Sequence, residues 1–281
     1  MQDLADLLPR VGRLSEVAGQ AILEVYRTPS RLCERQEQIQ VSYKADCSPL
    51  TEADLTSHHL ILQGLQDLTP GIPVLSEESG EIPYPERQQW GRFWLVDPLD
   101  GTREFIQRNG QFTVNIALIE EGIPILGVVH APALGLTYAA AQKLGAHKRE
   151  RTPFRFCEQP IRACPSAQEP LQVVASRSHS NPETKQFLEQ LQQRCGSLEV
   201  KSVGSALKLC LVAEGSAHLY PRFGPTMEWD TAAAQCVVEQ AGGRVTDLAG
   251  DPLRYNKPDL HNPPFVAAAE GMAQLWQNLI P

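Results

Sequence analysis

The chain has 281 residues, 42% of them apolar and 21% charged, with 33 acidic against 25 basic side chains and a formal net charge of −8. That composition supports one large or two moderate packed domains and argues against global disorder. The acid excess also argues against a nucleic-acid polymer as partner, since affinity for a polyanion rests on clustered Lys and Arg; a small anion held through a cation is not excluded.

Residues 4 to 26 place apolar side chains from Leu4 through Tyr26 at helical spacing, and the polar run Thr28 to Gln38 is expected to end that helix. Tyr43 to Pro49 reads as a loop containing Cys47. Thr51-Glu52-Ala53-Asp54 is arranged like a capping box ahead of a second helix, which puts Asp54 in its first turn. A carboxylate there is favoured by the helix dipole even without a catalytic role.

Val74 to Ser76 and Phe93 to Val96 are strand candidates, and each runs into acidic residues, Glu77-Glu78 and Asp97 to Asp100. Phe112 to Ile119, Ile125 to His130 and Thr137 to Ala141 continue as strands, with Glu120-Glu121-Gly122 as a hairpin turn. The pattern is a meander rather than βαβ units.

Residues 149 to 170 are basic, then proline-rich and polar, without a clear period, and are expected to hold the boundary between halves 1–150 and 151–281. Beyond it strands at 173–175 and 217–220 alternate with helices at 182–192, 204–214 and 230–241. Asp230 reads as the N-cap of the last helix, with Gly242-Gly243 past its end.

The cysteines, Cys33, Cys47, Cys157, Cys164, Cys195, Cys210 and Cys236, are odd in number and form no C-x-x-C pair, which suits free thiols in a reducing cytoplasm. No basic region followed by an unbroken apolar stretch opens the chain, so no secretory signal is expected. No segment approaches 18 uncharged apolar residues, so no membrane span is expected.

Chemistry concentrates in Asp97-Pro98-Leu99-Asp100-Gly101-Thr102. Pro98 and Gly101 bend the chain so that Asp97 and Asp100 converge on one cation, with the Leu99 carbonyl as a further oxygen. The backbone N–H groups after Gly101 then open a helix suited to a phosphate. The plain alternative is an ordinary Asp-Gly turn. Glu77 and Asp230 add carboxylates from distant segments, and a divalent ion with oxygen ligands usually means phosphate chemistry. Ser205 and Lys208, three apart at the start of the 204–214 helix, share a face that suits a phosphate, or else Lys208 is a solvent-facing lysine. Arg177, His179 and Arg222 near strand ends are phosphate or base contacts, or plain surface. P-loop and Rossmann glycine patterns do not occur.

Taken together, Thr51-Glu52-Ala53-Asp54, Glu77-Glu78, Asp97 to Thr102 and Trp229-Asp230-Thr231-Ala232 resemble, in order and separation, the Mg²⁺-dependent, lithium-sensitive phosphatases of the inositol monophosphatase superfamily. Arg103-Glu104-Phe105-Ile106, the strand Phe112 to Ile119, Gly204 to Lys208, Tyr220 to Pro225, Tyr255-Asn256-Lys257 and Asn262-Pro263 are similar to the CysQ-type 3′(2′),5′-bisphosphate nucleotidases within it. The resemblance implies a layered αβαβα sandwich, with an N-terminal α+β half and a C-terminal α/β half. It implies hydrolysis of 3′-phosphoadenosine 5′-phosphate to AMP and phosphate, with two or three Mg²⁺ and a cytoplasmic location, free or peripheral on the inner face of the membrane.

By the same resemblance Glu77, Asp97, Asp100, Asp230 and the Leu99 carbonyl hold metal, with Glu78 behind them or at a weaker metal site. Asp54 and Thr102 orient the attacking water. Gly101 and Thr102 face the scissile phosphate, beside Glu77 and Asp230. Ser205, Lys208 and Arg222 contact the nucleotide and its 5′-phosphate, and Arg177 with His179 border the base. Cys47 departs from the pattern, which has glycine in that loop. Two other readings compete: an inositol monophosphatase or sugar-bisphosphate phosphatase of the same superfamily, and a non-catalytic nucleotide or metal sensor.

Overall fold

The structure, a computed structural model, describes residues 3–27, 41–43, 49–152, 155–166, 169–176, 181–272, 275 and 279. The chain begins with α1 (Leu4–Arg27), β1 (Val41–Tyr43), β2 (Pro49–Thr51), α2 (Glu52–Leu68), β3 (Val74–Ser76), α3 (Tyr84–Arg87), β4 (Arg92–Asp100) and α4 (Thr102–Ile106). A run of strands follows: β5 (Thr113–Glu120), β6 (Ile123–Ala131), β7 (Leu136–Ala141), β8 (Gly145–Arg151) and β9 (Phe156–Pro160). Strands and helices then alternate: β10 (Leu171–Ser176), α5 (Pro182–Cys195), β11 (Leu198–Val203), α6 (Leu207–Ala213), β12 (Leu219–Arg222), α7 (Glu228–Gln240), β13 (Gly243–Asp247) and β14 (Phe265–Ala269).

Side-chain alternation along β4 sets the layers. Trp94 and Val96 point to one face and join Leu7, Val11, Ile22 and Ile61 of α1 and α2 in one core. Phe93 and Leu95 point to the other face and join Leu209 and Val212 of α6 and Ala233 and Val237 of α7. That second core also takes Val174, Tyr220 and Ala267 from the inner face of the second sheet, so α6 and α7 lie between the two sheets. Phe187 and Leu191 of α5 cover the outer face of the second sheet, against Val173, Leu219 and Val266. The order is helix, sheet, helix, sheet, helix, the αβαβα sandwich expected.

The first sheet has seven strands in the order β3-β4-β5-β6-β7-β8-β9, antiparallel except for the β3–β4 pair. The β5–β6 turn is the expected hairpin, with Glu121 at φ 48° and Gly122 at φ 74°. The second sheet has five strands in the order β11-β10-β12-β14-β13, parallel at β11-β10-β12 and antiparallel beyond. Helix α7 must fit between two sheets, which explains its small residues Ala232, Ala233 and Ala234, all buried. It approaches β6 so closely that a Cβ on Gly127 would lie 2.2 Å from the Ala233 carbonyl oxygen. Among the described residues no helix is long and apolar enough to cross a membrane.

Several sequence expectations need correcting. Residues 149–151 and 156–160 are not irregular: they belong to β8 and β9, which pair antiparallel from His147 with Pro160 to Arg151 with Phe156. These strands are mostly half-buried or exposed at the sheet edge, so they carry no apolar alternation. Tyr43 and Pro49 pair as strand ends rather than loop residues. The 204–214 helix begins only at Leu207, because Ser205 has a left-handed φ of 51°. The last helix begins at Glu228, two residues before Asp230. Cys33, Cys47 and the run Thr28 to Gln38 lie outside the described residues.

Candidate active site

The strand β4 carries the acidic pair to one end of the first sheet. Its pairing with β5 is regular from Arg92 to Asp97, opposite Asn115, then slips before Asp100 meets Thr113. The slip lets two carboxylates three residues apart turn towards one cavity. Asp97 Oδ1 accepts from the Leu99 N–H at 3.0 Å, which tightens the bend. The Pro98 carbonyl accepts from the buried Ser57 hydroxyl of α2 at 2.8 Å. The next carbonyl, that of Leu99, lies 3.4 Å from the Thr102 hydroxyl. Gly101, at φ 90°, makes the corner into α4, where a Cβ would meet the Gln111 carbonyl at 3.2 Å.

Asp54 lies where its capping-box position predicts. Its Oδ2 accepts from the Thr51 N–H at 2.8 Å and from the Thr51 hydroxyl at 2.5 Å. Its Oδ1 is 3.3 Å from the Thr102 hydroxyl, so local capping holds one oxygen and leaves the other for Thr102. Glu77 follows β3 and donates its N–H to the Val96 carbonyl at 3.1 Å, which registers it beside Asp97. Asp230 stands at the third residue of α7 and accepts from the Met227 N–H at 2.9 Å; it closes the helix start from inside rather than as the N-cap.

Glu77, Asp97, Asp100 and Asp230 line one cavity of about 380 Å³, with Leu99, Gly101, Thr102, Ser205, Lys208 and Arg222. Asp97 is 1% exposed. Burial first, then repulsion from Glu77, Asp100 and Asp230, pushes its carboxyl well above the usual carboxylate range. Burial, then Asp100 and Glu77, does the same to Asp230. Burial raises Asp100 too, opposed by Lys208 and by the Ala206 N–H. Lys208 is pulled down to about 8 by burial, against the attraction of Asp100. Both members of that pair are driven towards neutrality because desolvation outweighs their attraction.

Lys208 is therefore not a solvent-facing lysine. Its Nζ donates to the Ser205 carbonyl at 2.5 Å and lies 5.5 Å from the Tyr220 ring centre. Ser205 shares no helical face with it, since the backbone has not yet entered the helix. Arg222 is also buried, and its guanidinium donates to the carbonyls of Gly224 at 3.1 Å and Pro225 at 2.8 Å. Arg177 and His179 lie outside the described residues.

Among the described residues no three His, Cys, Asp or Glu side chains form a closed cation cage. Asp97 bonds to Glu77, Asp100 to Ala206 and Asp230 to Met227 instead. The donor chemistry nevertheless fits a hard divalent cation: carboxylate and carbonyl oxygens, buried together and destabilised by one another, for which a cation is the natural counter-charge.

Two features escaped sequence reading. Asn115 and Thr113 of β5 direct Nδ2 and Oγ1 to Asp100, each at 3.4 Å. A polar Asn115 within the apolar run Val114 to Ile119 was the available signal. Ser57 carries no such signal, because nothing local marks it; Glu104 and Tyr220 stand in the runs Arg103 to Ile106 and Tyr220 to Pro225 that carry the resemblance, without a role of their own.

The profile described as "Inositol monophosphatase family" matches residues 8–280. The chain belongs to the inositol monophosphatase family. Within it, the chain is 49% identical over 260 residues to the 3′(2′),5′-bisphosphate nucleotidase CysQ of Escherichia coli strain K12, covering 92% of this chain and 98% of that one. It is 36% identical to the protein of the same name in Haemophilus influenzae, over 90% of this chain and 92% of that one. The crystal structure of CysQ from Bacteroides thetaiotaomicron superposes with a TM-score of 0.78 at 42% identity, over 92% of this chain and 94% of that one.

Proposed function

We propose that the chain is a Mg²⁺-dependent 3′(2′),5′-bisphosphate nucleotidase that hydrolyses the 3′-phosphate of 3′-phosphoadenosine 5′-phosphate to AMP and phosphate. The observation that carries the reading is the cavity itself. Four carboxylates, a directed threonine and two buried basic side chains, Lys208 and Arg222, line it together. The 49% identity to a CysQ nucleotidase supports the nucleotide as substrate.

Glu77, Asp97, Asp100, Asp230 and the Leu99 carbonyl would hold two or three ions, with Glu78 behind them. When bound, Mg²⁺ supplies Lewis-acid polarisation of the ester phosphate and of the attacking water. The Thr102 hydroxyl donates towards Asp54, which leaves its oxygen lone pairs to accept an O–H of that water. Asp54 thus fixes which way the hydroxyl points, and Thr102 fixes where the water sits. Gly101 allows close approach of the phosphate to the backbone.

Lys208, Arg222 and Ser205 meet the 5′-phosphate; the contact of Arg177 and His179 with the base rests on the resemblance alone. A second phosphate is what a pair of buried cations distinguishes from an inositol monophosphate. Asp97→Asn and Asp230→Asn are expected to abolish turnover while circular dichroism and melting remain those of a folded protein. Full activity in either folded variant contradicts the assignment.

A further inference from the structure

Arg87 lies outside the cavity, yet it ties together the two segments that bring Glu77 and Asp230 to it. The residue ends α3, the short helix reached from Glu77-Glu78 through Ser79 to Pro83, and it is 3% exposed. Its Nε donates to the nearby Ile82 carbonyl at 3.0 Å. The other contacts cross to a turn about 170 residues on. Nη1 donates to Asn256 Oδ1 at 3.0 Å and to the Lys257 carbonyl at 2.9 Å, and Nη2 to the Pro258 carbonyl at 3.0 Å. Asn256 Nδ2 returns a bond to the Arg87 carbonyl at 2.6 Å. Among the described residues these hydrogen-bond acceptors are all carbonyl-type oxygens. Such a planar fan of donors holds a backbone shape, which a lysine's single ammonium cannot reproduce.

The same turn is gripped from its other side. Glu228, fully buried, accepts from the Asn256 N–H at 2.6 Å, the Lys257 N–H at 2.9 Å and Lys257 Nζ at 2.6 Å. Asn256 sits there at φ 71°. Glu228 opens α7, two residues before Asp230, and its own N–H donates to the Leu260 carbonyl at 2.9 Å. Further along the same segment Asn262 Nδ2 donates to the Met227 carbonyl at 2.7 Å and reaches Thr231 Oγ1 at 3.0 Å. Met227 is the residue whose N–H holds the Asp230 carboxylate. A continuous set of bonds therefore runs from the segment after Glu77, through Arg87 and the 256–258 turn, to Glu228 and the start of α7.

The carboxylates it joins line one cavity from two separate segments. Their separation is fixed only where something outside the cavity fastens those segments. We infer that Arg87 is a positioning residue for the acidic cavity, fastening the segment after Glu77 to the turn that supports Asp230 and so setting the separation of the two carboxylates. The inference rests on reading the cavity as the divalent-metal site of a phosphatase.

The test uses the full chain and two variants. Arg87→Lys keeps the charge and loses the fan. Asn256→Gly removes the clasping amide, keeps the left-handed φ at no steric cost, and leaves no buried charge unpaired. Divalent-ion binding is measured by calorimetry without substrate, using Mg²⁺ and Mn²⁺, alongside the Mg²⁺ concentration that half-activates phosphate release. Both variants should bind the ions more weakly, Arg87→Lys by about ten-fold or more, as for other outer partners of metal ligands, with the nucleotide KM at saturating metal nearly unchanged. The double variant should lose less than the sum of the two single losses, because both changes break the contact between Nη1 and Asn256 Oδ1.

A role confined to stability lowers the folded fraction, and kcat with it, at an unchanged metal midpoint; that result overturns the inference. If Arg87→Lys does not fold, Asn256→Gly decides by the same midpoint. If the unaltered chain binds no divalent ion and releases no phosphate, it is the proposed function that fails. If it does both and the variants share its midpoints, only the role of Arg87 falls.

Discussion

The Ala206 backbone N–H donates to Asp100 Oδ2 at 2.6 Å, joining residues 106 apart in sequence. One bond thereby couples the end of β4 in the first sheet to the loop that precedes α6. That loop is strained at Ser205 and carries Lys208 back onto its own carbonyl. The acidic and basic residues of the cavity are thus built on one another: Asp100 holds the loop to which Lys208 is bonded.

Lys208→Met tests the basic side. The methionine fills the volume of the lysine stem without its charge. KM for 3′-phosphoadenosine 5′-phosphate should rise about 10- to 100-fold, the worth of one charge-assisted hydrogen bond, with a smaller change in kcat. Steady-state kinetics at saturating Mg²⁺ reads this directly; an unchanged KM would remove Lys208 from the substrate contacts.

Thr102→Val removes the hydroxyl that faces Asp54 and keeps the shape. If that hydroxyl orients the attacking water, kcat should fall about 100- to 1000-fold with little change in KM, and Thr102→Ser should restore most of it. A valine variant with near-normal kcat would place the water elsewhere.

Ser57→Ala addresses the support beneath β4. The Pro98 carbonyl loses a buried donor at 2.8 Å, which should cost about 1–3 kcal/mol in urea unfolding. Since Pro98 separates the two acidic residues, half-activating Mg²⁺ should rise as well. Normal stability together with a normal metal midpoint contradicts this role.

His130 gives a pH dependence with a definite sign. It is buried beneath Thr137, to which Nδ1 bonds at 2.9 Å, and burial lowers its pKa to about 4. Between the unfolded value near 6.5 and the folded value, the unfolded chain takes the proton and the folded chain does not. The stability due to a neutral His130 is therefore complete above about pH 6.5 and is lost as pH falls towards 4, by up to about 3 kcal/mol. The acidic cavity titrates in the opposite sense, so the comparison must be with His130→Gln. Urea unfolding at about pH 7 and about pH 4.5 should show the unaltered chain losing more stability than the variant; parallel losses would contradict the assignment.

The parts of the fold legible in sequence are those where burial imposes a period. The apolar alternation of Phe93 to Val96 and the run Val114 to Ile119 mark central strands, and both lie where expected. Strand β8, through Lys148-Arg149-Glu150-Arg151, was missed because its half-buried place beside the edge strand β9 leaves little apolar surface to bury, and its charges mask the period. The acidic residues were legible because turn-formers and carboxylates cluster locally at Asp97 to Thr102. Ser57, Arg87 and Glu228 were not. Their partners are mostly backbone groups of other segments, and a bond to a carbonyl or an N–H leaves no residue pattern to read. Asp230 shows a middle case: its place at the helix start was legible, but not its exact turn, since the helix begins two residues earlier and the carboxylate caps it from within.

The most direct measurement is phosphate release from 3′-phosphoadenosine 5′-phosphate and from inositol 1-phosphate, side by side, with Mg²⁺, with chelator, and with Mg²⁺ plus Li⁺. The account predicts fast release from the nucleotide alone, abolished by chelation and inhibited by lithium. Preference for the inositol ester would contradict the role given to Lys208 and Arg222, and no metal-dependent release from either would contradict the catalytic reading itself.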